Sequence, residues 1–201
     1  MFFEPKILSG EVIGSLHAFS APGKIFRIAI LFLTLAGMSL TSTAGDWQFA
    51  YGSVNFTIKN AGLTTRGSLG PAEAEVSFNP SKPGDARISG RVWVQNLETG
   101  IKLRDKHLKK EDYFFASKYP EISMKLLRLE KSGDKLKGFF SLSMKGITKE
   151  LEIPVLFSED SKGAQLSTAF SLNRLDFGVG SQSWTLADEV RVQIRFMLKK
   201  G

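Results

Sequence analysis

The side chains that could do chemistry are few, and their spacing limits what they could do. His107 sits in Lys106-His-Leu-Lys-Lys110, two residues after Arg104-Asp105 and four before Glu111-Asp112. A serine hydrolase would need His107 as its base, and the chain has no Gly-x-Ser-x-Gly elbow to present a nucleophile. Cysteine is absent and the only other histidine is His17, so a zinc site lacks its usual ligands. Glu111 and Asp112 are adjacent, which does not make them an acid/base pair without a fold that aims both at one atom. Gly178-Val-Gly-Ser-Gln-Ser183 half resembles a phosphate loop and reads better as a turn. The basic cluster 106–110 has no interleaved aromatic platform of the kind that stacks on bases, so nucleic acid is not expected as a partner. No catalytic residue, metal or cofactor is assigned. The alternative to a binding protein is a ligand-free structural, stress or protein-interaction module, ahead of an enzyme built on Arg104, Asp105 and His107. Arg104-Asp105 is better read as a clamp than as a ligand contact.

The elements around these residues are strands. Val54, Phe56 and Ile58 alternate with polar neighbours, as do Ile88, Val92 and Val94, then Ile122, Met124 and Leu126. Further sets are Leu136, Phe140, Leu142 and Met144; Leu151, Ile153, Val155 and Phe157; and Leu166, Phe170 and Leu172. Val190, Val192, Ile194, Phe196 and Leu198 close the chain in the same period. Pro80-Ser-Lys-Pro-Gly84, Lys131-Ser-Gly-Asp134, Lys145-Gly146 and Asp160-Ser-Lys-Gly163 are turns between them. About eight short strands with one long interruption favour a closed up-and-down barrel, wide enough for one small ligand. Its inward set is almost wholly apolar, with hardly any buried polar candidate.

The first 44 residues are of another kind. Lys24 and Arg27 precede the uncharged run Ile28 to Leu40, followed by Thr41-Ser-Thr-Ala44. A basic flank, a core too short to span a bilayer and a small-residue exit describe a secretory signal peptide cut near Ala44. An uncleaved signal anchor is the alternative. Removing 44 of 201 residues leaves a 157-residue domain, 45–201, expected in the periplasm with no membrane span of its own. The whole chain carries 27 basic and 20 acidic side chains. Loss of Lys6, Lys24, Arg27, Glu4 and Glu11 leaves 24 against 18, a net charge of +6.

Residues 98–120 break the alternation. They combine charges from Lys102 to Lys110 with Tyr113, Phe114 and Phe115. The composition fits one or two helical turns over a barrel mouth, ending before Pro120, which forces Tyr119 out of the helical region. Two readings stand: a lid turning Phe114, Phe115 and Tyr119 inward over a cavity, or a plug that caps the core. Phe177 and Trp184, near Gly178 and Gly180, could cover an opening, although a long hairpin connection is the better reading of that segment.

Four stretches in order carry a resemblance. They are Trp47 to Gly62 with its Gly-Ser-Val-Asn-Phe-Thr-Ile-Lys run, Thr99-Gly-Ile-Lys-Leu-Arg-Asp to Tyr119-Pro120, Gly138 to Val155, and Phe170 to Gly180. Together, over residues 46–198, the chain resembles the YceI-like family. The resemblance implies an extended, eight-stranded, antiparallel, lipocalin-like barrel holding a polyisoprenoid or similar long amphiphile, such as a prenyl quinone, fatty acid or amide. It matches Arg104, Asp105, Leu108, Phe114, Phe115 and Tyr119 to the excursion, and Phe56, Phe177 and Gly178 to other motifs. With Ile58, Val92, Val94, Phe140, Phe170 and Trp184 these form the expected apolar site, with Arg104 and Asp105 at a polar mouth. Asn60 stands where the family commonly has histidine. A monomer or homodimer is expected, with a hydrophobic lipid as its partner and a membrane-protein partner left open.

Overall fold

The structure is a computed structural model that describes residues 46–161 and 163–201. The expected signal peptide, 1–44, lies outside the described residues. Ten strands form one antiparallel sheet: β1 Trp47–Asn60, β2 Leu63–Leu69, β3 Glu73–Phe78, β4 Arg87–Trp93, β5 Leu97–Glu98, β6 Glu121–Ser132, β7 Lys135–Met144, β8 Ile147–Asp160, β9 Gly163–Asn173 and β10 Leu186–Lys200. β2 and β3 both pair with β1, one on Val54–Asn60 and the other on Trp47–Gln48, so they act as one broken stave. β4 and β5 form a second broken stave, because β5 pairs with β2 beyond the end of β4. The ten segments therefore make eight staves. β1 pairs with β10 from Trp47–Lys200 to Asn60–Leu186 and closes the ring.

Each stave neighbours the next in sequence, and the connections explain why. Ala61-Gly62 and Lys145-Gly146 are two-residue turns with positive φ at both positions, the twist that suits a tight hairpin. The alternating runs put one side-chain set inward. At one end of the barrel this set is sealed: Trp47, Phe78, Leu129, Phe140, Ile153 and Leu198 pack into a floor. At the other end Leu69, Val94, Leu97, Ala116, Phe177 and Val179 form an upper core. Among the described residues, no helix is long and apolar enough to cross a membrane.

Three local departures from strict alternation matter. β4 stops at Trp93 because Val94–Asn96 tighten into a 3₁₀ turn, with the Val94 N–H donating to the Pro120 carbonyl. Val94 is 1% exposed in the upper core beside Val92, and of the two only Val92 lines the cavity. β6 carries a bulge between Leu126 and Arg128, which turns Leu127 outward and returns Leu129 to the floor. β8 pairs with β9 only from Leu156 to Asp160, although both strands run much further towards the upper end.

The excursion contains one short helix, α1 Lys102–Leu108, followed by turns to Tyr119. The helix ends at Leu108, ten residues before Lys118, the last position the Pro120 boundary leaves open to it. Phe115, with φ 52°, lies in the left-handed region, and this splits the aromatic triplet between two directions.

Candidate functional site

Between floor and upper core the barrel surrounds a cavity that is open at one end. β1 supplies Val54, Phe56 and Ile58; β10 supplies Val190, Val192, Ile194 and Phe196; β9 supplies Phe170 and Leu172. Val92, Phe140 and Leu142 face them across the barrel, and Leu108, Tyr113 and Phe114 come from the excursion. The ring of Phe56 lies over Gly67, where any Cβ would run into it, so glycine there lets the ring lie back on the wall. Asn60, Thr65 and Leu186 mark the mouth beside the β1–β2 hairpin, with Thr99 and Arg104 on the excursion side.

Of the residues expected at the site, Phe56, Ile58, Val92, Leu108, Phe114, Phe140, Phe170 and Arg104 lie on this wall. Six do not. Val94 and Phe177 are sealed in the upper core, each 1% exposed, with the Lys149 ammonium over the Phe177 ring. Phe115 turns away to meet Tyr119 edge-on at 6.0 Å. Tyr119 packs on Gly146 outside the barrel mouth, where only a glycine leaves room. Trp184 is fully exposed on the β9–β10 connection and covers nothing. Asp105 is turned away from the cavity onto Thr99.

Arg104 and Asp105 do not pair with each other; they converge on Thr99. The Asp105 carboxylate accepts from the Thr99 N–H at 2.9 Å and from its hydroxyl. Arg104 Nε donates to the Thr99 hydroxyl at 2.7 Å and a terminal nitrogen to the Thr99 carbonyl at 2.6 Å. These bonds fold the start of α1 back onto β5 and fix the guanidinium at the cavity edge. His107 is exposed and lies edge-on to Tyr113 at 5.0 Å. Arg104, Asp105 and His107 therefore do not aim at one point in the cavity.

Arg174 was hidden in the sequence. It is 3% exposed, lines the cavity, and corrects the expectation of a barrel with hardly any buried polar group. Its guanidinium donates to the carbonyls of Ala187, Val179 and Ser181 at 3.0, 2.9 and 2.8 Å and to the Asp188 carboxylate at 2.8 Å. Most of these partners are backbone atoms, which leave no mark in a side-chain pattern. Its donors thus hold the β9–β10 connection and do not point at a ligand. The Thr168 hydroxyl, also on the cavity lining, is buried without a partner among the described residues. Glu73 lies on the outer wall, where the Trp93 indole N–H and then Arg91 hold its carboxyl below the usual carboxylate range.

A greasy cavity in an eight-stave meander, roofed by a charged and aromatic excursion, is a feature that can be compared with known proteins. Residues 48–198 match the YceI-like domain. The chain belongs to the YceI-like family. Protein YceI of Escherichia coli O157:H7 is 23% identical over 131 residues, covering 63% of this chain and 69% of that one. A UPF0312 protein of Pseudomonas savastanoi pv. phaseolicola is 27% identical over 152 residues, covering 70% and 79%. A UPF0312 protein of Photorhabdus laumondii is 27% identical over 111 residues, and the chain spans only 56% of that relative's length. Among solved structures, BcnA of Burkholderia cenocepacia superposes with a TM-score of 0.69 at 22% identity, covering 73% of this chain and 95% of that one. A polyisoprenoid binding domain from Saccharophagus degradans superposes with a TM-score of 0.63 at 10% identity, covering 78% and 99%. At those identities the structural likeness establishes the YceI-like fold and nothing finer.

Proposed function

We propose that this YceI-like protein is a non-catalytic carrier or buffer that holds a polyisoprenoid, or a comparable long-chain amphiphile such as a prenyl quinone, fatty acid or amide, in its barrel. The observation that carries the reading is the state of the inward face. Val54, Phe56, Ile58, Val190, Val192 and Ile194 point into the barrel yet are only half-buried, whereas the floor below them is sealed. A wall of this kind is completed by an apolar occupant. Burying about 20 prenyl carbons at ~0.8 kcal/mol each yields ~16 kcal/mol gross. Association and chain ordering cost about 4–15 kcal/mol, so tail contacts alone can reach micromolar binding. The Saccharophagus domain of the same fold is described as polyisoprenoid-binding, which supports the ligand class. The expected signal peptide supports a periplasmic setting.

Native mass spectrometry on protein isolated from its own host, followed by solvent extraction, tests both parts. The expected result is a stoichiometric lipid with a long prenyl or acyl tail, and an N-terminus near Gly45. Protein that arrives empty and refuses prenyl quinones and fatty amides in titration would overturn the carrier reading and leave Leu108, Tyr113 and Phe114 as a plug.

A further inference from the structure

A carrier for a water-insoluble chain must exchange it somewhere, and the residues around the cavity mouth have the character of a membrane contact. Four large apolar side chains there are exposed: Leu63 at 75%, Ile101 at 53%, Leu103 at 79% and Trp184 fully. They come from three separate segments. Each lies within two positions of a cavity-lining residue: Leu63 of Thr65, Ile101 of Thr99, Leu103 of Arg104 and Trp184 of Leu186. The hairpin and the β9–β10 connection are tied together there, since the Ala61 N–H donates to the Thr185 carbonyl at 2.7 Å. Exposed apolar residues gathered around an opening signal an interaction surface, where scattered single ones would not.

Charge selects the occupant. Lys59 and Arg66 flank the hairpin, and Lys102, Lys106 and Lys110 are exposed on the excursion. Asp105 is turned onto Thr99, and the exposed Glu111 and Asp112 beside Lys110 are fewer than these five cations. A tryptophan and leucines ringed by flexible lysines match the boundary of a bilayer, with apolar tips in the headgroup layer and ammonium groups on lipid phosphates.

We propose that this rim docks the barrel, mouth first, on the surface of an anionic lipid bilayer, so that cargo passes without crossing water. The proposal takes its purpose from the carrier reading, but docking is measured on protein stripped of lipid, so either can fail alone. The protein as its host releases it, delipidated, is titrated with vesicles of phosphatidylcholine and with vesicles also containing phosphatidylglycerol, while tryptophan emission is followed. Trp47 is 5% exposed in the floor and Trp93 is bonded to Glu73, so the responding indole is Trp184. The expected result is a blue shift, quenched by chain-brominated lipid, with anionic vesicles only, and reversed by high salt. The double variant Leu103→Glu/Trp184→Ala, compared by vesicle flotation, should bind on the order of tenfold more weakly while retaining cargo and far-UV dichroism. Emission that ignores both kinds of vesicle, a blue shift produced by concentrating the protein alone, or a double variant that floats like its parent would each overturn the proposal. The second of these would point to a second copy as the occupant.

Discussion

A guanidinium at 3% exposure is stable in Arg174 because each direction in which it donates meets an oxygen. Burial of a guanidinium without those partners would be costly. Arg174→Ala leaves three carbonyls and the Asp188 carboxylate short of a donor and opens space beside the cavity. Asp188 retains some solvent, with its side chain 37% exposed, which softens the loss. A destabilisation of about 3 kcal/mol is expected, and for a chain of this size that lowers the melting temperature by about 6–12 °C. Arg174→Lys should recover little, since one ammonium cannot span carbonyls on both sides of the connection. Thermal unfolding followed by circular dichroism checks this; a shift under about 2 °C for the alanine variant would mean that water replaces the guanidinium at no cost.

Period-two alternation made the long strands readable in the sequence, because each has one dry and one wet face, whereas β2 and β5 left no such run. What alternation cannot show is where a strand stops for reasons outside itself. Val94 continues the pattern of Val92 in sequence, but the Pro120 carbonyl draws its N–H into a 3₁₀ turn. Phe115 has the composition of a cavity residue, and a positive φ turns it away while Tyr113 and Phe114 go in. The position of Arg104 on the cavity edge was legible from its place in the excursion; its convergence with Asp105 on Thr99 was not. The β8–β9 seam is a further case. Pairing stops at Leu156, and Pro154, with no N–H to give, stands just beyond that point. Alternate amides of β8 between Ile147 and Val155, and of β9 between Thr168 and Asn173, therefore face a neighbour they do not pair with. They should exchange with deuterium well before the amides of β10, which is paired on both sides. Residue-resolved exchange measures this directly, and equal protection across the three strands would show that the seam is closed in solution.

At the scale of the whole barrel, residues 46–201 form a cup. Its staves close into a ring whose β8–β9 seam pairs only from Leu156 to Asp160, its floor is packed, and the β5–β6 and β9–β10 connections stand at the open end. A cup with an apolar wall recognises length before it recognises chemistry. Each methylene that reaches unfilled wall adds up to ~0.8 kcal/mol, or about fourfold in affinity. The gain must stop when the chain meets Trp47, Phe78 and Ile153, because those side chains leave no space below them. A series of single-chain amphiphiles with one headgroup should therefore bind more tightly with each added carbon up to a limit, and longer chains should gain nothing. Changing the headgroup at fixed length should move affinity far less, since the oxygens around Arg174 and the Thr99 clamp already occupy the strongest polar donors near the cavity. Displacement of an environment-sensitive fatty probe gives both series in one titration format. Affinity that tracked the headgroup and ignored chain length would place recognition at Arg104 and Asn60 on the mouth, and the cup would then be no more than a support for that rim.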